Sequence, residues 1–101
     1  MIVDVAPAAR DRFDQTLLLY SSYMSDRSLD RIQLRIDKML VYLTKNPRFG
    51  PYADGVAPGK DGVRYRKVTV GKIKIIYKIV GDRIKVSDIF DARQDPRKMR
   101  G

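Results

Sequence analysis

The sequence contains no cysteine, no histidine, no tryptophan and no glutamate, so its 12 acidic side chains are all aspartate. Without cysteine there are neither disulfides nor thiolate metal sites, and a reducing cytoplasm is the expected compartment. Without histidine the commonest general base, the commonest zinc ligand and every Ser-His or Cys-His nucleophile pair are lost. Any chemistry falls to Asp, Lys, Arg, Tyr or a cofactor. No N-terminal apolar run resembles a signal peptide, and no apolar run approaches the length of a membrane span. The GxxxxGK[ST] pattern of a phosphate loop is missing too. At 101 residues, the expectation is one soluble, intracellular domain with a single modest core.

What the chain has in excess is positive charge, with 21 Lys/Arg and a net charge of +9. The excess is unevenly placed. Residues 1–62 carry nine Lys/Arg against eight Asp, whereas residues 63–101 carry twelve against four. Such concentration points to an anionic partner, either nucleic acid or an acidic protein segment. The plainer alternative is a solvated face kept charged for solubility.

The basic half contains the clearest pattern, VRYRKVTVGKIKIIYKIVGDRIKVSDIFDAR from Val63 to Arg93. Its runs are rich in Val, Ile and Tyr, which suit a pleated, half-buried surface. Gly71-Lys72 and Gly81-Asp82 separate them, and glycine reaches the positive φ of a tight hairpin turn. This predicts a three-stranded antiparallel meander. An uninterrupted register pairs Val70 with Ile73, Val68 with Ile75, Arg66 with Tyr77, Ile79 with Ile84, Tyr77 with Val86 and Ile73 with Phe90. Alternation then places Val68, Val70, Ile73, Ile75, Tyr77, Ile79, Ile84, Val86 and Phe90 on the core side. The other face carries Tyr65, Lys67, Thr69, Lys74, Ile76, Lys78, Lys85, Ser87 and Ile89, and Arg93 continues that parity. Asp88 falls on the core side, where a buried charge needs a partner; Arg66, Arg31 and Arg35 are the candidates.

Ahead of the meander, Met1 to Val5 reads as a short strand that joins the sheet at an unspecified edge. Pro7 suits a first helical turn. Ala9, Phe13, Leu17, Tyr20 and Met24 then recur at spacings of four and three, one stripe of an amphipathic helix. Leu18, Leu19 and Tyr23 widen its apolar surface beyond that stripe. Ser25 to Ser28 supplies turn and cap residues. A second helix follows with Leu29, Ile32, Ile36, Met39 or Leu40, and Leu43 on one face, and Asn46-Pro47 ends it. A short turn between two helices predicts an antiparallel hairpin covering the sheet. Arg48 to Gly62 reads as a loop without an element of its own, and the basic tail from Asp91 as a loosely held end.

Lys67, Lys74 and Arg93, with Tyr65 beside them, are the candidate functional residues. Cations gathered on a rigid sheet bind phosphate, Arg grips it bidentately, and Tyr stacks on a base. Crowded cations also lower a lysine pKa, which suits Lys67 or Lys74 to proton transfer. Arg66, Lys78 and Arg97 extend the candidate nucleic-acid surface. No metal site and no cofactor is expected.

The order strand, two helices, three-stranded meander resembles the RelE/ParE superfamily of toxins from bacterial type II toxin–antitoxin modules. Val70-Gly71-Lys72-Ile73-Lys74-Ile75-Ile76-Tyr77 is similar to its V-G-x-[YF]-R-hydrophobic-hydrophobic-Y motif. Phe90-Asp91-Ala92-Arg93-Gln94-Asp95-Pro96 is similar to its closing R-x-D-P segment. The resemblance spans the chain and implies a growth-inhibiting toxin of a plasmid-stabilisation module. It also implies a cognate acidic antitoxin, with assembly as a homodimer or a toxin–antitoxin hetero-oligomer. Two targets follow from it. RelE-like members are metal-independent, ribosome-dependent mRNA endonucleases; by position Lys74 and Arg93 match their catalytic arginines, and Lys67, with Arg66, the preceding lysines. Met99 stands where their C-terminal Tyr is expected. ParE-like members poison DNA gyrase, lack that constellation and often close with R-x-D-P, which favours this branch. A non-toxic basic module that binds nucleic acid is the reading outside the superfamily.

Overall fold

The structure is a computed structural model, and it describes residues 1–94. It contains β1 (Ile2–Val5), α1 (Pro7–Tyr20), α2 (Asp26–Lys45), β2 (Arg66–Val70), β3 (Ile73–Val80), β4 (Arg83–Asp91) and a closing 3-10 turn, Ala92–Gln94. The strand order is β1-β4-β3-β2. This is an α+β fold with an N-terminal strand, two helices and an antiparallel meander. The edge that the sequence left open is the outer side of β4, where β1 pairs in parallel over Arg83 to Val86.

Local chemistry explains most of the elements. Gly71 and Gly81 both adopt φ +60°, the left-handed conformation that a two-residue hairpin turn needs and that glycine adopts without strain. Pro7 sits in the first turn of α1. Ser25 caps α2, its side chain accepting from the Ser28 amide at 3.2 Å. The helix then stops at Lys45, just before Asn46-Pro47. Both helices put their buried residues into one core with the sheet: Ala9, Phe13, Leu17 and Tyr20 from α1, and Ile36, Leu40 and Leu43 from α2. Leu18, Leu19 and Tyr23 stay exposed, at 73, 48 and 62%.

The β2–β3 register is the predicted one, from Arg66 opposite Tyr77 to Val70 opposite Ile73. The β3–β4 register begins as predicted, with Ile79 opposite Ile84 and Tyr77 opposite Val86, and then slips. Ile76 lies opposite Asp88, Lys74 opposite Phe90, and Ile73 opposite Asp91 rather than Phe90. Ser87 is therefore the extra residue of a β-bulge, and an extra residue reverses the facing of everything beyond it. Ile89, expected outside, is fully buried in the core. Phe90, expected in the core, lies on the opposite face in a small separate cluster with Ile76 and Ala53. Asp88 moves outside, and Asp91 takes its place as the buried aspartate.

Residues 47–65 are not a bare loop. The Lys67 amide donates to the Pro51 carbonyl at 3.0 Å and the Ala53 amide to the Tyr65 carbonyl at 2.9 Å. A bridge joins Tyr52 to Arg66, so the segment runs beside β2 and covers its outer edge. From there Ala53, Val56 and Tyr65 fold over Ile76 and Phe90. The buried Tyr77 hydroxyl holds the other end of the segment, donating to the Pro47 carbonyl at 2.8 Å and accepting from the Gly50 amide at 3.0 Å. Replacing that hydroxyl strands two backbone groups at once. Tyr77→Phe is expected to destabilise the fold by about 1–3 kcal/mol, read as a lower denaturant midpoint at unchanged slope. An unchanged midpoint would mean that Tyr77 does not anchor the segment.

Candidate functional site

The two faces of the sheet present different groups of cations. Lys67 lies opposite Ile76 and Lys74 opposite Thr69, so Lys67 and Lys74 share the outer face as diagonal neighbours on adjacent strands. Their separation at that spacing is roughly 7–8 Å. Tyr65 and Lys78 belong to the same face, but Lys78 is engaged. Its ammonium donates to Asp61 at 2.9 Å and stands 5.2 Å from the Tyr65 ring centre. The bond to Asp61 holds the Lys78 pKa above its ordinary value and the Asp61 carboxyl below its own. Asp61 is positioned by an Asx-type turn, accepting from the Val63 amide at 3.0 Å.

A residue from the helix layer joins this face. Arg12 of α1 pairs with Asp88 at 2.6 Å and places its guanidinium 4.4 Å from the centre of the Phe90 ring. It reaches there because β1 pairs only with the first half of β4, and α1 packs against the remainder. The expected partner of Asp88 was a helix arginine or Arg66; the observed one is a helix arginine, but from the other helix. Arg12 lies outside the apolar stripe of α1, and helical periodicity gives no sign of this contact.

Arg66 points the other way. It shares the helix-side face with Tyr77, and its Nη1 donates to the Gly50 carbonyl at 2.8 Å. Its guanidinium lies 4.2 Å from the Tyr52 ring centre, and that of Arg64 3.9 Å from the same ring. Tyr52 and Arg64 had no place in the predicted surface, although an Arg-x-Arg pair beside an aromatic-bearing loop is a visible pattern.

Arg93 is also separated from the two lysines. The bulge puts Asp91 on the helix side, where it is 1% exposed, and Arg93 follows it. The Arg93 amide donates to Asp91 Oδ1 at 2.8 Å, its Nε to the same oxygen at 3.0 Å and its Nη2 to Oδ2 at 2.7 Å. The Tyr20 hydroxyl donates to Asp91 Oδ2 as well. A carboxylate bonded by Arg93 and Tyr20 is stabilised in its charged form, against the cost of burial, and the Asp91 carboxyl stays well below the usual range. Burial and the adjacent carboxylate push the Tyr20 phenol up to about 12.

This cluster forms one wall of a cavity of about 280 Å³ between the α1–α2 turn and the β2–β3 turn. Ile32, Ile36, Val70 and Ile73 floor it, and Arg35, Lys72 and Arg93 stand around it. The structure thus brings Lys67 and Lys74 together and sets Arg93 on the far side of the sheet. Arg97 lies outside the described residues, as do Asp95, Pro96 and Met99. Among the described residues no cluster of carboxylates could hold a metal ion, and no helix is long and apolar enough to cross a membrane.

No protein-family model matches this sequence, and no curated protein matches it. A solved structure does. The fold superposes on a chain of the chromosomal ParDE TA system from P. aeruginosa with a TM-score of 0.71, covering 90% of this chain and 95% of that one at 14% identity. The chain therefore shares its fold with a chain of that system.

The Asp91 cluster makes a pH prediction. Its folded pKa lies below the unfolded value of about 3.9, so the folded state binds fewer protons in that range. The stability it contributes is present above that value and is lost as pH falls through the folded pKa. Asp91→Asn is expected to cost about 1.5–3 kcal/mol at neutral pH, and the gap from wild type should close as pH falls below about 4 in denaturant titrations. A gap independent of pH would deny the charged cluster its role.

Proposed function

We propose that this chain is the growth-inhibiting toxin of a toxin–antitoxin module and acts as a ParE-like poison of DNA gyrase. Its partner in that role is an acidic antitoxin, drawn by the net charge of +9. The toxin reading is supported by the likeness to the ParDE TA system over nine-tenths of the chain. The choice of target is supported by the separation of Arg93 from Lys67 and Lys74. A phosphodiester-cleaving site needs its cations within reach of one phosphate, and proximity of this kind supplies much of the rate. Here the third cation is on the opposite side of the sheet, bonded twice by its side chain to Asp91. Histidine, the usual substitute for a missing tyrosine base, is absent from the sequence.

A RelE-like, ribosome-dependent endonuclease is the second reading. It is favoured by one observation, that Lys67 and Lys74 share an exposed-side face. In that case both lysines, with Tyr65, would meet RNA on the outer face without help from Arg93.

Inducing the chain alone in bacteria is expected to stop growth, with DNA breaks accumulating when the purified chain is added to gyrase and plasmid. Lys67→Ala and Lys74→Ala should arrest growth as wild type does. Cleavage of translated mRNA, lost in both variants and without DNA breaks, would transfer the assignment to the second reading. Normal growth with the folded protein accumulating would remove both, leaving salt-sensitive binding to free nucleic acid as the activity to look for.

A further inference from the structure

The cavity beside Arg93 plays no part in the target assignment, and its chemistry is specific. Its floor is aliphatic and its mouth is cationic. Tyr20 and Tyr23 form one wall in an edge-to-face pair, ring centres 5.8 Å apart. At about 280 Å³ it falls just below the roughly 300–1,000 Å³ typical of small-molecule sites. It has room for a side chain rather than a cofactor.

The cations are placed from three elements. Arg35 extends from α2 to the hairpin turn, its Nη1 standing 3.7 Å from where a Cβ on Gly71 would lie. Lys72 is on that turn. Arg93 is held by Asp91, and those two side-chain bonds engage only part of its five N–H donors. Among the described residues no carboxylate forms an ion pair with Arg35 or Lys72. Like charges gathered around one opening repel each other, and an arriving anion relieves that repulsion. The apolar surface also continues outward from the cavity. Tyr23, in the α1–α2 turn, and Leu19, near the end of α1, are 62 and 48% exposed.

We propose that this cavity seats one apolar side chain of an acidic partner segment, with carboxylates on either side of it bonded by Arg35, Lys72 and Arg93. The inference rests on the proposed function in identifying that partner as the neutralising antitoxin. A second copy of this chain is the poorer occupant, because a surface of net charge +9 repels itself. Burying the apolar anchor supplies affinity, while the three cations select an acidic sequence and its register.

The test has two arms. In the first, the purified full chain is titrated with a fluorescent hexapeptide, Asp-Asp-Leu-Leu-Asp-Asp, and with its all-lysine counterpart. The acidic peptide is expected to bind. An Arg35→Glu/Lys72→Glu double variant should lose on the order of tenfold or more in affinity, about 1.4 kcal/mol, and gain affinity for the lysine peptide. Lys85→Glu, a change of two charges on the outer face against four at the cavity, should stay within about twofold. Equal binding by wild type and the double variant, or equal losses in the double variant and Lys85→Glu, would overturn the proposal. In the second arm, the double variant is induced in bacteria beside a small acidic antitoxin that neutralises the wild type. Growth arrest that the antitoxin no longer relieves supports the cavity; full relief overturns it. If the wild type arrests nothing, the toxin reading fails, while the peptide titration still reads the cavity independently.

Discussion

One extra residue in β4 decides what each face of this protein can do. Up to Val86 the strand sends Ile84 and Val86 into the core, and beyond the bulge at Ser87 it sends Ile89 and Asp91 there instead. A strand has a side-chain period of two, so a single insertion exchanges the two faces from that point on. Arg93, the cation carried by the end of the strand, is moved with them. Had the ladder run on without a break, Arg93 would continue the outer face that carries Lys74. With the bulge it faces Tyr20 and the α1–α2 turn. The outer face receives Asp88 and Phe90 in exchange, and Arg12 comes around from α1 to meet them.

The same insertion creates the buried charge at Asp91. A carboxylate in a core is tolerated when its hydrogen-bonding capacity is filled and an opposite charge is adjacent. Tyr20, the Arg93 amide and the Arg93 guanidinium provide both. The cluster therefore ties α1 to the end of β4 and fixes one of the cations at the cavity mouth. On the same face of the sheet, Tyr77 does comparable work with neutral groups, holding residues 47–50 by their backbone. The segment that follows then lies over Ile76 and Phe90, and the outer face is in part roofed. Of its lysines, Lys78 is matched by Asp61.

Much of this arrangement is legible in the residues, because much of it is local. The two glycine turns, both helices, the Ser25 cap and the Pro47 stop each follow from neighbouring residues, and the β2–β3 register follows from the first turn. The bulge does not, because the pattern of residues 84–91 is balanced between two registers. An unbroken ladder buries Asp88 and Phe90, a broken one Ile89 and Asp91, and each puts one aspartate inside. What breaks the balance is Tyr20, a tyrosine on the core stripe of α1 whose hydroxyl needs a partner, together with an arginine two residues after Asp91. Both contacts span the chain and neither has a periodicity. The position of β1, the reach of Arg12 and the Tyr52 stack with Arg64 and Arg66 were hidden for the same reason. Of the candidate residues, Lys67 and Lys74 were correctly paired on one face, whereas Arg93 was assigned to the wrong side of the sheet by the missing insertion.

The account stands on that insertion, and solution NMR reads it directly. Cross-strand nuclear Overhauser contacts are expected between Ile76 and Asp88 and between Tyr77 and Val86, leaving Ser87 without an opposite residue, with side-chain contacts from Arg93 to the Tyr20 ring. Contacts placing Ile73 opposite Phe90 and Ile76 opposite Ser87, with Arg93 remote from Tyr20, would return Arg93 to the lysine face and contradict the separation from which the target and the cavity were both argued.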